Sequence, residues 1–213
     1  MKRARMSFSL VATISFANGT TWSAADLMAR AIASLGDNET LTGTAGDDLM
    51  QMCYAFELLS GDRPTAAFVA DVLSKVEEVA PDGWAAWAYS NHDVVRHVTR
   101  WGLGPAAARA FTTLLMCLKG SACIFQGEEL GLPEAEVDFE DLQDPYGITF
   151  WPEFKGRDGC RTPMVWERSN GQGGFSTAAK AWLPVAPAHL ALSVDAAEDD
   201  EGALLHHYRR AIA

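Results

Sequence analysis

The sequence predicts an α/β fold built from parallel βαβ units. Three observations carry that prediction. Apolar runs of strand length recur at residues 49–56, 87–89 and 122–125, and bulky or aromatic side chains pack well on a pleated surface. Helical patterns separate them, at 64–80 and 105–118. Polar, chemically capable residues gather at the C-terminal end of each run, where parallel α/β folds hold their sites. Strand, helix, strand, helix, strand in that order implies right-handed crossovers.

The elements follow in chain order. Lys2, Arg3 and Arg5 precede an apolar stretch over 6–17, and small residues stand at Ser23, Ala24 and Ala25. This has the shape of a signal peptide; a β-strand, or a leader made by truncation or cloning, reads equally from the same residues. A cytoplasmic location is expected, with export as the alternative. Residues 26–35 suit a short helix stopped by Gly36, and 36–48 form a polar loop. The helix over 64–80 turns Phe68, Val69, Val72, Leu73, Val76 and Val79 inward and leaves Asp71, Lys75, Glu77 and Glu78 wet. Pro81-Asp-Gly83 is a turn. Pro105 opens a nearly uncharged helix, expected to be mostly buried, and Gly120 closes it. Residues 122–125 then read as a buried strand leading into Gln126-Gly-Glu-Glu129. From 130 to 187 the pattern is irregular, and a loop of that length in a compact domain is usually functional. An acidic patch at 195–201 and a helix from Ala203 into Arg209 and Arg210 close the chain.

Composition bounds the function. The 213 residues are 48% hydrophobic, enough for one core, and the net charge of −11 argues against nucleic acid and anionic membranes as partners. No apolar run reaches membrane-spanning length. Cys53, Cys117, Cys123 and Cys160 form no C-x-x-C pair and read as free thiols acting as small hydrophobes. There is no phosphate-cradling glycine loop, no G-x-S-x-G elbow and no organic-cofactor signal. Cys160 has no flanking base to activate it. Asp138, Glu140, Asp141 and Asp144 offer oxygens that suit calcium; a solvated acidic loop is the alternative, and no metal is assigned.

The stretch from Trp87 through Asn91-His92-Asp93 to Arg96 and Arg100 holds the densest chemistry. Taken alone, Asn-His-Asp is also a common turn. Together with Gln126-Gly-Glu-Glu-Leu-Gly131 and Gly156-Arg-Asp-Gly-Cys-Arg-Thr-Pro-Met-Val-Trp166, it resembles the later part of an α-glucosidase of the oligo-1,6-glucosidase kind. That places the resemblance in the α-amylase superfamily, glycoside hydrolase family 13. Gly174-Phe-Ser-Thr, Trp182-Leu-Pro and Leu204-Leu-His-His-Tyr-Arg-Arg210 extend it.

The resemblance implies a partial (β/α)8 TIM-type barrel, its last βα units followed by a long irregular loop. Residues 1–40 are an unmatched leader and 41–213 the C-terminal part of the barrel domain. It also implies Asp93 as the carboxylate that stabilises an oxocarbenium-like transition state, with His92, Arg96, Asp158 and Arg161 as substrate-binding residues. A neutral polyol needs bidentate hydrogen bonds, and a cationic sugar ring needs a nearby anion. Trp84, Trp87, Phe150 and Trp151 offer stacking faces, with core packing the preferred reading of Trp84 and Trp87.

One departure from the family pattern weighs on activity. Retaining glycosidases use two carboxylates, a nucleophile and a general acid. Neither an Arg-x-Asp nucleophile motif nor a strand-end acid glutamate precedes Asp93; Glu39 and Glu57 match neither. A whole barrel needs about 250 residues, so the chain reads as its second part. The open sheet edges then invite a homo-oligomer, and an isolated monomer is expected to lack efficient α-glucosidase activity.

Two functions follow. One is a truncated α-glucosidase-like hydrolase of small α-glucosides, in which Asp158, Glu128 or His92 partners Asp93. The other is a non-catalytic half-barrel that binds sugar weakly or associates with another chain.

Overall fold

The computed structural model describes residues 52–79 and 84–213, together with two short strands at 13–15 and 21–23. The chain divides into two units after Gln51. In the first, β1 (Thr13–Ser15) and β2 (Thr21–Ser23) pair antiparallel with Ile14 opposite Trp22. The helix expected over 26–35 and the boundary at residue 41 lie outside the described residues.

The second unit is organised on a parallel sheet of order β3–β4–β5. β3 (Met52–Ala55) and β4 (Trp84–Trp87) pair from Met52 opposite Trp84 to Ala55 opposite Trp87. β5 (Ser121–Ala122) pairs with β4 through Ala86 and Trp87. The crossover from β3 to β4 carries α1 (Ala66–Val79), and Thr65 Oγ1 accepts from Phe68 N at 3.1 Å to satisfy one free amide of its first turn. Val69 and Val72 face the core while Lys75 and Asp71 pair in water, the division expected from the spacing.

The crossover from β4 to β5 carries α2 (His97–Arg100) and α3 (Pro105–Cys117). Proline at the first position of α3 sacrifices no hydrogen bond, because that amide has no intrahelical acceptor. Gly120, at φ +136°, lets the chain return beside β4. A Cβ there would lie 2.2 Å from Ala85 O. One core cluster joins α1, β4 and α3 through Leu58, Val72, Trp87, Tyr89, Trp101 and Leu115. Tyr89 packs edge-on against Trp101 and Phe111, with centroids 5.2 and 5.7 Å apart.

After β5 the chain has little regular structure until α4 (Pro145–Thr149), then α5 (Pro187–Leu190), α6 (Val194–Asp199) and α7 (Leu204–Ile212). A second cluster, with Leu130, Leu132, Met164, Val165 and Ala197 at its centre, anchors this region.

Five expectations need correction. The nearly uncharged helix α3 is not mostly buried: of its residues only Ala108, Thr112 and Leu115 are, because one face alone meets the core. The central strand spans Trp84–Trp87, not 87–89, because Tyr89 O is taken by Arg100 Nη2 at 2.5 Å and not by a neighbouring strand. The strand at 122–125 is neither that long nor buried. It ends at Ala122, and residues 122–124 are exposed because β5 is the edge of the sheet. Among the described cysteines, Cys117 and Cys123 are exposed free thiols and Cys160 is buried. Trp84 is exposed, with Nε1 donating to Ser121 Oγ at 2.9 Å, and it stands at the opposite end of β4 from Asp93. Trp87 is core, as preferred, and donates to Lys119 O at 2.8 Å. Among the described residues no helix is long and apolar enough to cross a membrane.

Candidate active site

Beyond Trp87, Ala88 through Ser90 remain buried, and the chain then turns outward. The His92 side chain is 69% exposed and that of Asp93 is 48% exposed. The turn is tied from within. Asn91 Oδ1 accepts from Asp93 N at 2.8 Å, a local bond that favours Asn in turns. Ser90 Oγ accepts from His97 N at 2.9 Å, and His97 Nδ1 lies 3.1 Å from the same hydroxyl. Arg100 braces the flank by donating to Ser60 O, Val95 O and Tyr89 O. Polar ties below therefore hold a loop that is open above.

Two arginines converge on Asp93. Its Oδ1 accepts from Arg157 Nη1 at 2.9 Å and from Arg161 Nη2 at 3.2 Å, while Arg161 Nε donates to His92 O at 2.8 Å. Asp93 Oδ2 lies 3.4 Å from His92 Nε2. His92, Asp93 and Arg161 are thus brought together. Sequence reasoning does not single out Arg157, although it stands in the Gly156-Arg-Asp-Gly-Cys-Arg motif four residues before Arg161.

Arg157 is positioned by Asp144. Its Nε and Nη2 reach Oδ2 and Oδ1 of that carboxylate at 2.8 and 3.0 Å, and its backbone N reaches Oδ2 at 2.9 Å. The Asp144 side chain is 0% exposed. This fork–fork pair holds the Asp144 carboxyl at about 2, below the ordinary range. Asp144 also caps α4 by accepting from Tyr146 N at 3.2 Å. The approach of the two segments depends on glycine. Gly156 sits at φ +80°, and a Cβ there would lie 2.8 Å from Gly147 Cα.

Arg96 and Asp158 depart from the binding role expected of them, because both are buried. Arg96 Nη1 and Nη2 donate to Gln126 O at 2.6 Å and Cys160 O at 3.0 Å, and its backbone N donates to Glu134 Oε2 at 2.8 Å. Its guanidinium also lies 5.2 Å from the Phe125 ring centroid. Arg96 is therefore a clamp between three segments. Asp158 Oδ2 accepts from Gln143 N and Asp144 N at 2.6 and 2.7 Å, so it shapes the backbone that presents Asp144.

Glu128 is also withdrawn from solvent. Oε1 accepts from Tyr208 OH at 3.1 Å, Oε2 accepts from Phe125 N at 3.3 Å, and burial pushes its carboxyl up to about 8. It tethers α7 beneath the loop and does not face Asp93 across open space.

The calcium candidates scatter. Asp144 is held by Arg157, and Asp141 pairs with Lys180 at 2.7 Å. Among the described residues no group of three or more His, Cys, Asp or Glu is arranged to hold a metal ion. Of the expected stacking faces, Phe150 is exposed, whereas Trp151 packs against Phe139 at 5.6 Å. The site therefore presents Asp93, His92, Arg157 and Arg161 together, one carboxylate held by two guanidiniums beside an exposed imidazole.

The family profile described as the alpha amylase catalytic domain matches residues 55–213. A probable alpha-glucosidase of Rhizobium meliloti (strain 1021) is 55% identical over 192 residues, covering 86% of this chain and 34% of its own length. The oligo-1,6-glucosidase of Heyndrickxia coagulans is 34% identical over 164 residues, covering 66% of this chain and 29% of its own. Among solved structures, the alpha-glucosyl transfer enzyme XgtA aligns with a TM-score of 0.68 at 55% identity, over 73% of this chain and 29% of its own. The trehalulose synthase MutB of Pseudomonas mesoacidophila MX-45 aligns with a TM-score of 0.64 at 27% identity, over 77% of this chain and 35% of its own. The chain spans about a third of the length of the curated relatives it matches.

Proposed function

The chain belongs to the α-amylase catalytic-domain family, glycoside hydrolase family 13, and from that premise we propose that it acts as part of an α-glucosidase on small α-glucosides. In this reading β3, β4 and β5 are the last strands of a (β/α)8 barrel, and the loop after β4 carries the sugar-facing chemistry. The observation that carries the proposal is the hold on Asp93: one oxygen fixed by Arg157 and Arg161, the other left beside exposed His92. A carboxylate fixed in this way need not reorganise when positive charge develops on a sugar ring. His92 and the two guanidiniums supply hydrogen bonds to hydroxyls.

The commitment of neighbouring carboxylates supports a second reading. Asp144 is spent on Arg157, Asp158 on backbone amides and Glu128 on Tyr208. A retaining glycosidase needs, besides the stabilising carboxylate, a nucleophile and a general acid whose carboxyl groups stand about 5 Å apart, and none of these three residues is free to be either. In that reading the 213-residue chain binds the sugar, and a second chain supplies the missing pair.

Hydrolysis of p-nitrophenyl α-glucoside, assayed across size-exclusion fractions beside Asp93→Asn, tests both. The first reading expects turnover in a species larger than one chain, falling by about 10³-fold or more in the variant. Glucoside binding without turnover, weakened by Asp93→Asn, selects the second reading. Turnover that survives Asp93→Asn overturns both.

A further inference from the structure

A cavity of about 620 Å³ lies between the C-terminal parts of α1 and α3. α1 leads into the start of β4 and α3 into the start of β5, so the cavity stands at the N-terminal edge of the sheet. Asp93 follows the C-terminal end of β4, at the other edge. The inner wall of the cavity is apolar. Leu73, Val76 and Leu118 are half-buried along it, and Ala85 and Trp87 of β4 close the floor. Trp87 Nε1 is already committed to Lys119 O at 2.8 Å, so that ring lends a surface and no donor. A volume of this size over apolar side chains is in the range that holds small organic ligands.

The mouth, by contrast, is rich in acceptors. Glu77 and Glu78 both stand on it and both are exposed. Lys119 answers Glu77 at 3.4 Å, whereas among the described residues no ion pair forms at Glu78. Neither α1 nor α3 carries a basic residue in its last turn. The open carbonyls and negative dipole end of each helix are therefore not offset within the helix itself. Two carboxylates and two helix ends against one lysine leave the mouth electronegative. An anion is disfavoured there, and a neutral alkyl compound gains nothing from the rim.

We propose that this cavity binds an organic ammonium ion with an apolar body. The alkyl part lies on Leu73, Val76 and Leu118, and the ammonium group sits at Glu78 and the helix ends. An ammonium group has three donors and no acceptor, which matches a rim of carboxylates and carbonyls. The site shares no residue with the Asp93 loop, so it stands whether or not the chain acts on glucosides.

Calorimetric titration of the full chain with hexylammonium chloride tests this, beside hexanol and hexanoate and beside Glu78→Gln, Ser74→Phe and Asp93→Asn. Ser74 lines the cavity and is exposed, as is Glu78, so both of these variants keep the fold. The wild type is expected to bind one hexylammonium ion per chain, with hexanol and hexanoate at least about fivefold weaker. Glu78→Gln is expected to weaken the amine by about two- to fivefold and to leave hexanol unchanged. Ser74→Phe, which crowds the cavity without altering its charge, should weaken the amine by more than Glu78→Gln does. Asp93→Asn should change nothing. Equal affinity for the amine and hexanol overturns the proposal, as does an absence of saturable amine binding up to about 10 mM. Amine binding lost in Asp93→Asn but kept in Glu78→Gln and Ser74→Phe moves the ligand to the loop after β4 and overturns it as well.

Discussion

Arg157 and Asp144 form the joint on which the candidate site is mounted: both oxygens of the buried carboxylate are gripped by Nε and Nη2 of the guanidinium, at 2.8 and 3.0 Å. The remaining nitrogen, Nη1, is then aimed at Asp93. A planar guanidinium can serve two carboxylates in fixed directions, which a point-like ammonium cannot. The joint therefore converts the fold of the loop after β5 into the orientation of a residue on the loop after β4.

Arg157→Lys should weaken this joint without removing its charge. A lysine leaves the Asp144 carboxylate short of donors in a buried place, and a loss of about 2–3 kcal/mol in unfolding free energy is expected. Urea unfolding measures it. The acid limb should move as well. The folded value of Asp144, about 2, lies below its ordinary 3.8, so the stability it contributes is present above pH 3.8 and is lost as pH falls toward 2. Acid unfolding of Arg157→Lys should begin at a higher pH than in the wild type; an unchanged acid limb refutes the assignment.

Arg96→Lys should act on stability and not on sugar affinity. The buried guanidinium donates to carbonyls of Gln126 and Cys160, and a lysine reaches at most one of them. A loss of about 2–4 kcal/mol is expected, with the p-nitrophenyl α-glucoside affinity of the folded fraction within about twofold of wild type. A large fall in affinity at unchanged stability would return Arg96 to the binding face.

Glu128→Gln should flatten the alkaline side of the stability curve. Burial raises Glu128 from an ordinary 4.5 to about 8, so the native state holds that proton more tightly than the unfolded chain. Its contribution to stability falls as pH rises from 4.5 toward 8. His97 acts with the opposite sign. Burial first, then Arg100 and Arg96, push it from 6.5 down to about 3, so its contribution is lost as pH falls below 6.5. Between pH 6.5 and pH 8 most of the His97 contribution is already present, so the step reports mainly on Glu128. Wild-type unfolding free energy should drop by about 2 kcal/mol over that step, and Glu128→Gln should hold nearly level. An equal drop in both proteins excludes Glu128 as the cause.

Much of the framework was legible in the sequence. The helices over Ala66–Val79 and Pro105–Cys117 fall within one to two residues of the spans expected from apolar spacing and proline placement. The parallel sheet follows from strands separated by helices. Edge effects were not legible. Residues 122–125 have the composition of a buried strand, but burial depends on what lies beside the edge, and composition carries no record of that.

The sequence by itself determined the order of elements, the family, and the arrival of Asn91, His92 and Asp93 at the end of β4. Spacing, capping and turn formation act over a few residues, and each leaves a local trace. The tertiary structure decided which polar residues face outward. Arg96, Asp158 and Arg157 all stood in polar motifs, but the first two are buried and the third is the one that reaches Asp93. The guanidinium of Arg96 is claimed by carbonyls 30 and 64 positions away. Every residue carries a carbonyl, so such partners leave no mark in the sequence, and only the folded chain brings them within reach.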